Sequence, residues 1–397
     1  MPITSALAQQ APNDEVRAVV AEMLSDAQAR TSLLAPSSGH DGKFFLASDD
    51  GNFRLNIDGL VQFRYFANFR SDNNSNEFEH GFQTQFTKIR FSGNIVDSKW
   101  LYNVEGNFEH DGGSFVLEDA WVAYKLSPEW LALWGQVKAP VLREWMVDDR
   151  YQLAAGRSIT QQAFNHGRSQ VAGVQYTGAD FMAAAFFSDG AGSANTDFTS
   201  SAEADWSLSA RAAWKFAGDW AAFNDFTSFK GSKFAGMLGG AVHFQGSQNT
   251  SAITDTDTKV LLYTVDAQFE GDGWNCFGAF IGRNIEFRSM GSDTDVDDFG
   301  VVLQGGFFLS EMDELFARYD VVIPDSDRAG DPDPFSTLTV GWNHYIARHA
   351  AKFTLDLQYA FDAITDTAAV PTDTETGLLG DVDDGEIIAR AQFQLLF

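Results

Sequence analysis

From residue 53 to the C-terminus, apolar and polar side chains alternate with a period of two. The segment 53–69 shows the pattern as two interleaved sets: Leu55, Ile57, Val61, Phe63, Tyr65 and Phe69 against Arg54, Asn56, Asp58, Gln62, Arg64 and Asn68. This period is typical of β-strands that bury one face. The segment is longer than most strands of globular proteins, and its length suits a tilted strand that crosses a membrane and continues beyond it.

Sixteen segments have this pattern, and the connections between them alternate in length. Tight turns are predicted at 97–99, 127–129, 178–180, 271–273, 310–313 and 347–350. Long connections are predicted at 70–81, 139–168, 188–205, 246–257, 286–298, 322–335 and 362–385, whereas 111–115 is unexpectedly short and 217–233 unexpectedly long. Short turns at one end and long loops at the other are typical of transmembrane barrels. We therefore predict an all-β fold, a 16-stranded antiparallel barrel over residues 53–397.

The N-terminal residues have a different pattern. Residues 1–12 include Ser5-Ala6-Leu7-Ala8, which resembles a signal-peptidase cleavage site, and are interpreted as the remnant of an export signal or as disordered. Over 13–40, apolar side chains recur in alternating steps of four and three, which predicts an α-helix in the periplasm and, if three copies meet, a trimeric coiled coil. An isolated surface helix or a partly disordered arm is the alternative. Residues 41–52 are predicted to be a linker.

The chain is rich in aromatic residues without being hydrophobic on average. It contains 36 Phe and 10 Trp among 397 residues, yet its mean hydropathy is -0.19, which suits a barrel with one apolar and one wet face. No run of eighteen apolar residues occurs, so a membrane-spanning helix is excluded by length. The formal net charge of -28 argues against a nucleic acid partner, because a phosphate backbone would be repelled.

Several motifs occur in a fixed order along the predicted strands. They are Leu133-Trp134-Gly135-Gln136-Val137-Lys138-Ala139-Pro140, Gly167-Arg168 followed by Gly173-Val174-Gln175, the segments 304–309 and 315–319, the segment 338–345, and the terminal segment 390–394. Together they resemble the phosphate-selective porin O and P family. The resemblance covers roughly residues 50–397 and implies a trimeric, sixteen-stranded barrel in the bacterial outer membrane, whose third extracellular loop folds inward to narrow the channel. The dense ladder of basic residues to which that family's phosphate preference is attributed cannot be traced here, so phosphate selectivity stays open.

The longest connection, which would be that constriction, carries a local excess of positive charge. Five basic residues stand against Glu144, Asp148 and Asp149, in a chain with 27 basic and 55 acidic residues overall. The predicted constriction residues are Lys138, Arg143, Arg150, Arg157 and Arg168. Guanidinium groups at a narrow, partly dehydrated point favour anions, because arginine stays charged and offers several donors.

Basic residues at inward positions of the strands could extend this charge along the pore wall. They are Arg54, Arg64, Lys88, Arg90, Arg211, Lys215 and Lys352. The alternative is that these side chains pair with acidic residues of the lumen and hold the wall rigid. The acidic candidates are Asp58, Glu105, Glu109, Asp266 and Asp356.

The remaining groups of polar residues give weaker evidence of a functional site. No metal site and no cofactor is predicted: the histidines lack metal-ligand spacing, and the acidic segments 293–298 and 381–384, which could hold Ca²⁺, are more often solvated loops. Ser169 and His166 form the one nucleophile and base pair close in sequence, without an orienting group, so we do not expect an enzyme.

The predicted function is a homotrimeric outer-membrane porin through which small hydrophilic solutes and ions diffuse passively. Its partners would be outer-membrane lipid and small ions or polar solutes, with an anion preference set by the loop 139–168. The alternative is a structural barrel that anchors the envelope through its N-terminal helix, with channel activity secondary.

Overall fold

The computed structural model describes residues 21–26, 38–71, 77–200, 203–246, 257–289, 292–328, 330–372, 375–380 and 384–397. Two short strands, β1 (Ser38–His40) and β2 (Phe44–Ala47), precede sixteen longer ones. These are β3 (Arg54–Phe69), β4 (Phe78–Asn94), β5 (Trp100–Phe108), β6 (Phe115–Lys125), β7 (Trp130–Lys138), β8 (Arg168–Thr177), β9 (Phe181–Ser188), β10 (Trp206–Ala217), β11 (Ala235–Gly246), β12 (Asp257–Gly271), β13 (Trp274–Ser289), β14 (Ser292–Phe308), β15 (Asp313–Ile323), β16 (Phe335–Tyr345), β17 (Ala351–Ala360) and β18 (Ile387–Leu396).

The sixteen longer strands form one closed antiparallel sheet. Each strand from β3 to β18 pairs with its sequence neighbours, and β18 returns to pair with β3, from Ile387 opposite Phe69 to Leu396 opposite Leu60. Closure leaves no free sheet edge, as a barrel in lipid requires. The predicted 16-stranded barrel is confirmed.

The N-terminal region differs from the prediction where it is described. Residues 21–26 are helical, and the other residues of 1–37 lie outside the described residues. β1 lies where the end of the helix was predicted, and β2 lies in the predicted linker. β2 pairs with residues 54–57 of β3, which extend past the end of β18. Strands of three and four residues are too short for a period of two to reveal them.

The two faces of the barrel follow the alternation. On β17, Leu355, Leu357 and Tyr359 are exposed on the outer face, whereas Thr354 and Gln358 on the inner face are completely buried. Aromatic pairs on the outer face join neighbouring strands, as with Trp100 and Tyr124, whose rings lie 4.7 Å apart. An apolar outer face and a polar inner face are the arrangement favoured by a barrel that has lipid outside and water inside. No helix among the described residues is long and apolar enough to span a membrane.

This assignment of faces predicts the effect of a charge on the outer surface. We expect Leu357→Arg to lower the free energy of unfolding by roughly 2–4 kcal/mol, because the guanidinium would enter the middle of the apolar band. Phe198→Arg is the matched control, since Phe198 lies outside the strands with 90% of its surface exposed. Urea unfolding of the protein in lipid vesicles measures both variants, and equal effects of the two substitutions would contradict the orientation of β17.

The barrel has two ends that differ in their connections. The lower end carries most of the short turns, the start of β3 and the end of β18, and the upper end carries most of the longer loops. Between β12 and β13 the turn is Asp272-Gly273, and Gly273 has a φ of +74°, which a tight hairpin requires and glycine adopts without strain. One predicted loop is wrong: β13 and β14 continue through 286–298 and leave only residues 290–291 between them.

The acidic run at the start of β14 explains that error. Its carboxylates were interpreted as a solvated loop, but β13 supplies their partners across the ladder. Arg283 binds Asp298 at 2.8 Å, and Asn284 donates to Asp295 and Asp297 at 2.6 and 3.0 Å. Compensation by the neighbouring strand lets the run extend as a strand, and a partner on another strand is not visible in the sequence of β14.

Three connections fold into the barrel. We call them the inner loop (139–167), the lower segment (218–234) and the upper segment (361–386, with gaps at 373–374 and 381–383). The apolar cores of the molecule lie where these segments meet the wall. One core joins the inner loop and the upper segment to β18 through Leu142, Phe164, Val370, Leu378 and Ile388. A second joins the inner loop and the lower segment to the wall through Val147, Leu153, Phe226, Phe277 and Phe316. The unusual length of the 217–233 connection thus has a structural role.

Candidate functional site

The inner loop crosses the lumen from one wall to the other. It leaves β7, forms α1 (Arg143–Met146), a 3-10 turn (Asp149–Tyr151) and α2 (Ile159–Ala163), and returns into β8. Ser158 caps α2, since its Oγ accepts a hydrogen bond from the Gln161 N–H at 2.9 Å. On one side Arg211 of β10 donates to the Val141 carbonyl at 3.1 Å, and on the other Gln394 of β18 donates to the Arg150 carbonyl at 3.1 Å.

On one side the backbone of the inner loop is held by side chains of β15–β18 and β3. We call this the dry side, because the wall side chains that contact the loop there are almost completely buried. Asn343 and Lys352 each donate at 2.9 Å, to the carbonyls of Leu153 and Gln152. Arg318 donates to the Gly156 carbonyl at 2.8 Å, and Arg64 to the Ala155 carbonyl at 2.5 Å. A buried loop must satisfy its carbonyls, and here the wall does so residue by residue.

On its other side the inner loop meets β3–β8 through what we call the charge cluster. Its basic members are Lys88, Arg90, Lys138, Arg150, Arg157 and Arg168, and its acidic members are Asp58, Glu105, Glu118, Asp119, Asp148 and Asp149. These six basic and six acidic side chains carry equal and opposite formal charge, and Lys43, outside the cluster, also binds Asp58 at 3.2 Å. The six basic residues had been singled out in the sequence, Lys138, Arg150, Arg157 and Arg168 for the constriction and Lys88 and Arg90 for the wall.

Ion pairs across the charge cluster connect loop to wall. Asp149 of the loop binds Lys88 of β4 and Arg157 of the loop itself. Arg150 binds Asp58 of β3 at 2.8 Å, and Arg90 of β4 binds Asp148 at 2.6 Å. Charged pairs of this kind fix a loop strongly when they are mostly buried, because removing one partner leaves the other buried and unpaired.

The same pairs keep the loop carboxylates ionised. Burial alone would raise the pKa of Asp148, but Arg150 and Arg90 outweigh it and hold the pKa well below the usual range. Arg157 and Lys88 do the same for the pKa of Asp149. A carboxyl group with a depressed pKa stabilises the folded state above its ordinary pKa and loses that contribution only as the pH falls further. These anchors therefore persist throughout the neutral and mildly acidic range.

Lys138 and Arg143 differ from the other predicted constriction residues, because no carboxylate among the described residues lies within 4 Å of either. Lys138 donates to the Trp145 carbonyl at 3.1 Å and stands 4.4 Å from the centre of its ring. Arg157 and Arg168 approach the same indole at 4.8 and 5.5 Å. Trp145 thus lies among three cations, an arrangement that the ring's quadrupole favours.

The two sides of the inner loop differ in their most exposed charged side chains, although Asp58, Lys88, Glu105, Asp149, Arg150 and Arg157 of the charge cluster are buried. The side chains of Arg90, Asp148 and Asp119 in the charge cluster keep 19%, 22% and 16% of their surface accessible. On the dry side Arg318 and Lys352 have almost none. The remaining polar space in this part of the lumen therefore runs beside the charge cluster.

The predicted wall residues do not form one exposed basic track. Arg54 binds Asp41 at 2.5 Å near the lower end, and Lys215 donates to the Gly218 carbonyl at 2.6 Å. Arg211 makes two bonds to Asp266, at 2.7 and 2.8 Å. Four of the five acidic partners proposed for the wall form ion pairs: Asp58, Glu105, Asp266 and Asp356. Glu109 has no ion pair with a basic residue in the described part of the chain.

Arg318 and Arg390 as inward wall residues, and the lower segment as a lumenal element, were not predicted from the sequence. Both arginines lie at inward positions of the alternation, which was the signal available. In the acidic segment 293–298, which was considered as an alternative Ca²⁺ site, Asp298 is bound by Arg283 and Arg328. Asp381 and Asp383 lie outside the described residues.

Ser169 and His166, the nucleophile and base pair noted in the sequence, each bind a backbone carbonyl. Ser169 donates to the Gly190 carbonyl, and a ring nitrogen of His166 donates to the Ala139 carbonyl.

His166, at the end of the inner loop, gives the site a predicted response to acid. Burial, and then the nearby His243, lower its pKa from 6.5 to about 4, so the ring is neutral at pH 7. A base with a lowered pKa takes up its proton more readily in the unfolded chain. Stability therefore falls as the pH drops below 6.5 and stops falling below about 4, by about 3 kcal/mol in all.

The measurement is the free energy of unfolding at pH 7 and pH 4 for the protein and for His166→Gln. We expect the variant to lose less stability on acidification by that amount. His40→Gln, on exposed β1, is the control, because it removes a histidine outside the inner loop. An identical pH dependence in all three proteins would contradict a buried neutral His166.

Comparisons with known proteins agree on the architecture. No family model and no curated protein matches the chain. Among solved structures, an anion-selective porin from Comamonas acidovorans matches with a TM-score of 0.59 and 12% identity over 86% of this chain and 99% of that one. OmpF of Salmonella typhi in complex with daunomycin matches with a TM-score of 0.61 and 13% identity, over 88% and 99% of the two chains.

The outer membrane channel DcaP of Acinetobacter baumannii matches with a TM-score of 0.56 and 13% identity, over 86% of this chain and 97% of that one. The chain has the fold of the outer-membrane porins. At these identities the likeness concerns the fold alone. The narrower resemblance to the phosphate-selective porins O and P stays a prediction.

Proposed function

We propose that this protein is a porin of the bacterial outer membrane, through which small hydrophilic solutes and ions diffuse passively. The observation that carries the proposal is the inner loop, which crosses a polar barrel lumen and is fixed to both walls. The apolar outer band supports residence in lipid. The porin fold supports the same reading.

The diffusion path runs beside the charge cluster. That side of the inner loop keeps partly accessible charged side chains, whereas the side facing β15–β18 is packed dry. Opposite charges on loop and wall offer any ion a partner beside the inner loop, which favours entry without tight retention. The solute would thus pass through a polar zone in which charges of both signs lie close together.

A modest anion preference is the finer part of the proposal. The arginines expected to select anions are mostly compensated by carboxylates, so strong selectivity does not follow from them. Lys138 and Arg143 have no such partner within 4 Å in the described structure and would tilt the local potential toward anions. An anion-selective porin among the matches is consistent with this reading.

Planar bilayer recordings in a KCl gradient test both parts. We expect stepwise conductance with a reversal potential on the anion side, and a shift toward cations in the double variant Lys138→Gln with Arg143→Gln. Lys99→Gln removes one positive charge from an exposed turn and should leave the reversal potential unchanged. Absence of conductance would overturn the porin assignment, and cation preference in the unchanged protein would overturn the anion preference alone.

The assembly is proposed to be a homotrimer with the N-terminal helix in the periplasm. Support comes from the seven-residue apolar repeat over 13–40, which suits a three-stranded coiled coil, and from the trimer form of OmpT of Vibrio cholerae, one of the matched structures. Deleting residues 1–40 tests the role of the helix. If channel formation is the function, conductance should survive the deletion; if envelope anchoring is, attachment should fail.

A further inference from the structure

A cavity of about 230 Å³ lies inside the barrel between the inner loop, the lower segment and strands β8–β11. Most of its lining is apolar, from Met182 and Met237 on the wall and Trp220 and Phe223 on the lower segment. Arg143 of the inner loop and Arg211 of β10 supply its charged groups. A concave apolar space with a few placed polar groups is the usual form of a small-molecule site.

The two arginines differ in how far their charge is compensated. Arg211 is neutralised by the two hydrogen bonds to Asp266. Arg143 instead uses neutral acceptors, with Nε and Nη2 donating to Gln268 Oε1 at 3.2 and 2.8 Å and Nη2 also to the Phe223 carbonyl. Its Nη1 has no partner among the residues that the structure describes. Arg143 therefore brings to the cavity a positive charge that has no ion-pair partner within 4 Å among the described residues, and one free donor.

Asp266, Glu270 and Asp225 act on Arg143 from farther away, but none of them forms an ion pair with it, and Asp266 is held by Arg211. Glu270 accepts a hydrogen bond from Gln268 Nε2 at 2.8 Å, so it reaches Arg143 only through that amide. Burial, and then the neighbouring Arg211, lower the pKa of Arg143 to about 10, which leaves the group charged at pH 7 but costly to hold. An anion placed at Nη1 would relieve that cost.

We propose that this cavity is a binding site for a small organic monoanion, with one carboxylate on Arg143 and an apolar body against the methionines and aromatic rings. The inference rests on the proposed function, because the solute would reach the cavity through the channel. It also deepens that function by naming a solute class. Methionine side chains suit such a body, since they adapt to varied apolar shapes.

Inorganic phosphate fits this cavity less well. A multiply charged anion would meet one free cationic donor and an otherwise apolar lining, so most of its hydration would be lost without replacement. A monocarboxylate with a ring or short chain loses hydration only at one end. The lining therefore discriminates by the balance of charge and apolar surface rather than by charge alone.

Calorimetric titration of the purified, detergent-solubilised protein tests the site with three probes: benzoate, its uncharged analogue benzyl alcohol, and inorganic phosphate. We expect benzoate to bind at least tenfold more tightly than either of the others. Arg143→Gln should weaken benzoate at least tenfold and leave benzyl alcohol nearly unchanged, because only the carboxylate contact is lost. Ala213→Leu, which fills the cavity and keeps both arginines, should weaken both.

Lys233→Gln is the matched control, since Lys233 is an exposed cation of the lower segment, and it should bind benzoate like the unchanged protein. Circular dichroism verifies that each variant keeps the barrel. Benzoate affinity equal in Arg143→Gln and the unchanged protein, or phosphate binding as tightly as benzoate, would overturn the proposal. KCl conductance of the same samples separates it from the proposed function: conductance without benzoate binding removes the site and keeps the channel, and binding without conductance does the reverse.

Discussion

Replacing Arg157 with glutamine is expected to loosen the inner loop and to raise the single-channel conductance severalfold. Arg157 is almost fully buried, binds Asp149, and donates to the carbonyls of Glu144 and Val147 at 3.3 and 2.9 Å. Glutamine cannot supply these bonds together or balance the carboxylate. Removing one member of a buried ion pair typically costs about 3–5 kcal/mol, and the lower end applies because Lys88 still faces Asp149.

Two substitutions make this prediction specific. Arg157→Lys keeps the charge but loses the planar fork, so conductance and stability should lie between those of the unchanged protein and Arg157→Gln. Lys99→Gln removes a positive charge from an exposed turn and should change neither. Bilayer recordings together with urea unfolding measure both quantities. Unchanged conductance in Arg157→Gln, despite a clear loss of stability, would mean that the inner loop does not limit the channel.

Phe226→Ala is expected to lower the free energy of unfolding by about 3–5 kcal/mol, the usual cost of truncating a buried phenylalanine. Phe226 lies in the lower segment, 1% exposed, with its ring 4.8 Å from that of Phe277 on β13. It also packs against Val147 and Leu153 of the inner loop. The substitution would open a cavity where the two inward segments meet the wall.

The matched control is Phe198→Ala, a phenylalanine in an upper loop with 90% of its surface exposed. Its truncation should change stability by no more than about 0.5 kcal/mol. Chemical unfolding monitored by circular dichroism compares the two. Equal and small effects would show that the lower segment is not packed in the lumen as described.

The barrel was predictable because each strand must satisfy two environments, lipid on one face and a polar interior on the other. That requirement gives strands such as β3 and β17 a sequence period of two. Tight turns are recognisable from pairs such as Asp272-Gly273, between β12 and β13. The hairpin of β13 and β14 escaped prediction because Asp295, Asp297 and Asp298 look like a loop until their partners on β13 are known.

The site was predictable in its residues but not in their partners. The excess of basic residues in 138–168 drew attention to the inner loop, yet Arg150 meets Asp58 and Lys88 meets Asp149 only after that loop has crossed the lumen. Such pairs join residues 61 or more positions apart. Alternation along one strand carries no information about them. The lower segment was unpredictable for the same reason, because the packing of Phe226 depends on β13 and the inner loop.

The claim that small hydrophilic solutes diffuse through the barrel past the inner loop is tested most directly by the swelling of liposomes that contain the purified protein. Uncharged sugars of increasing size serve as probes, because their flux depends on the width of the path and not on its charge. The account predicts swelling faster than in protein-free liposomes for the smallest sugar, with a rate that declines steeply with sugar size. Swelling no faster than in protein-free liposomes, for the smallest sugar as for the largest, would contradict it.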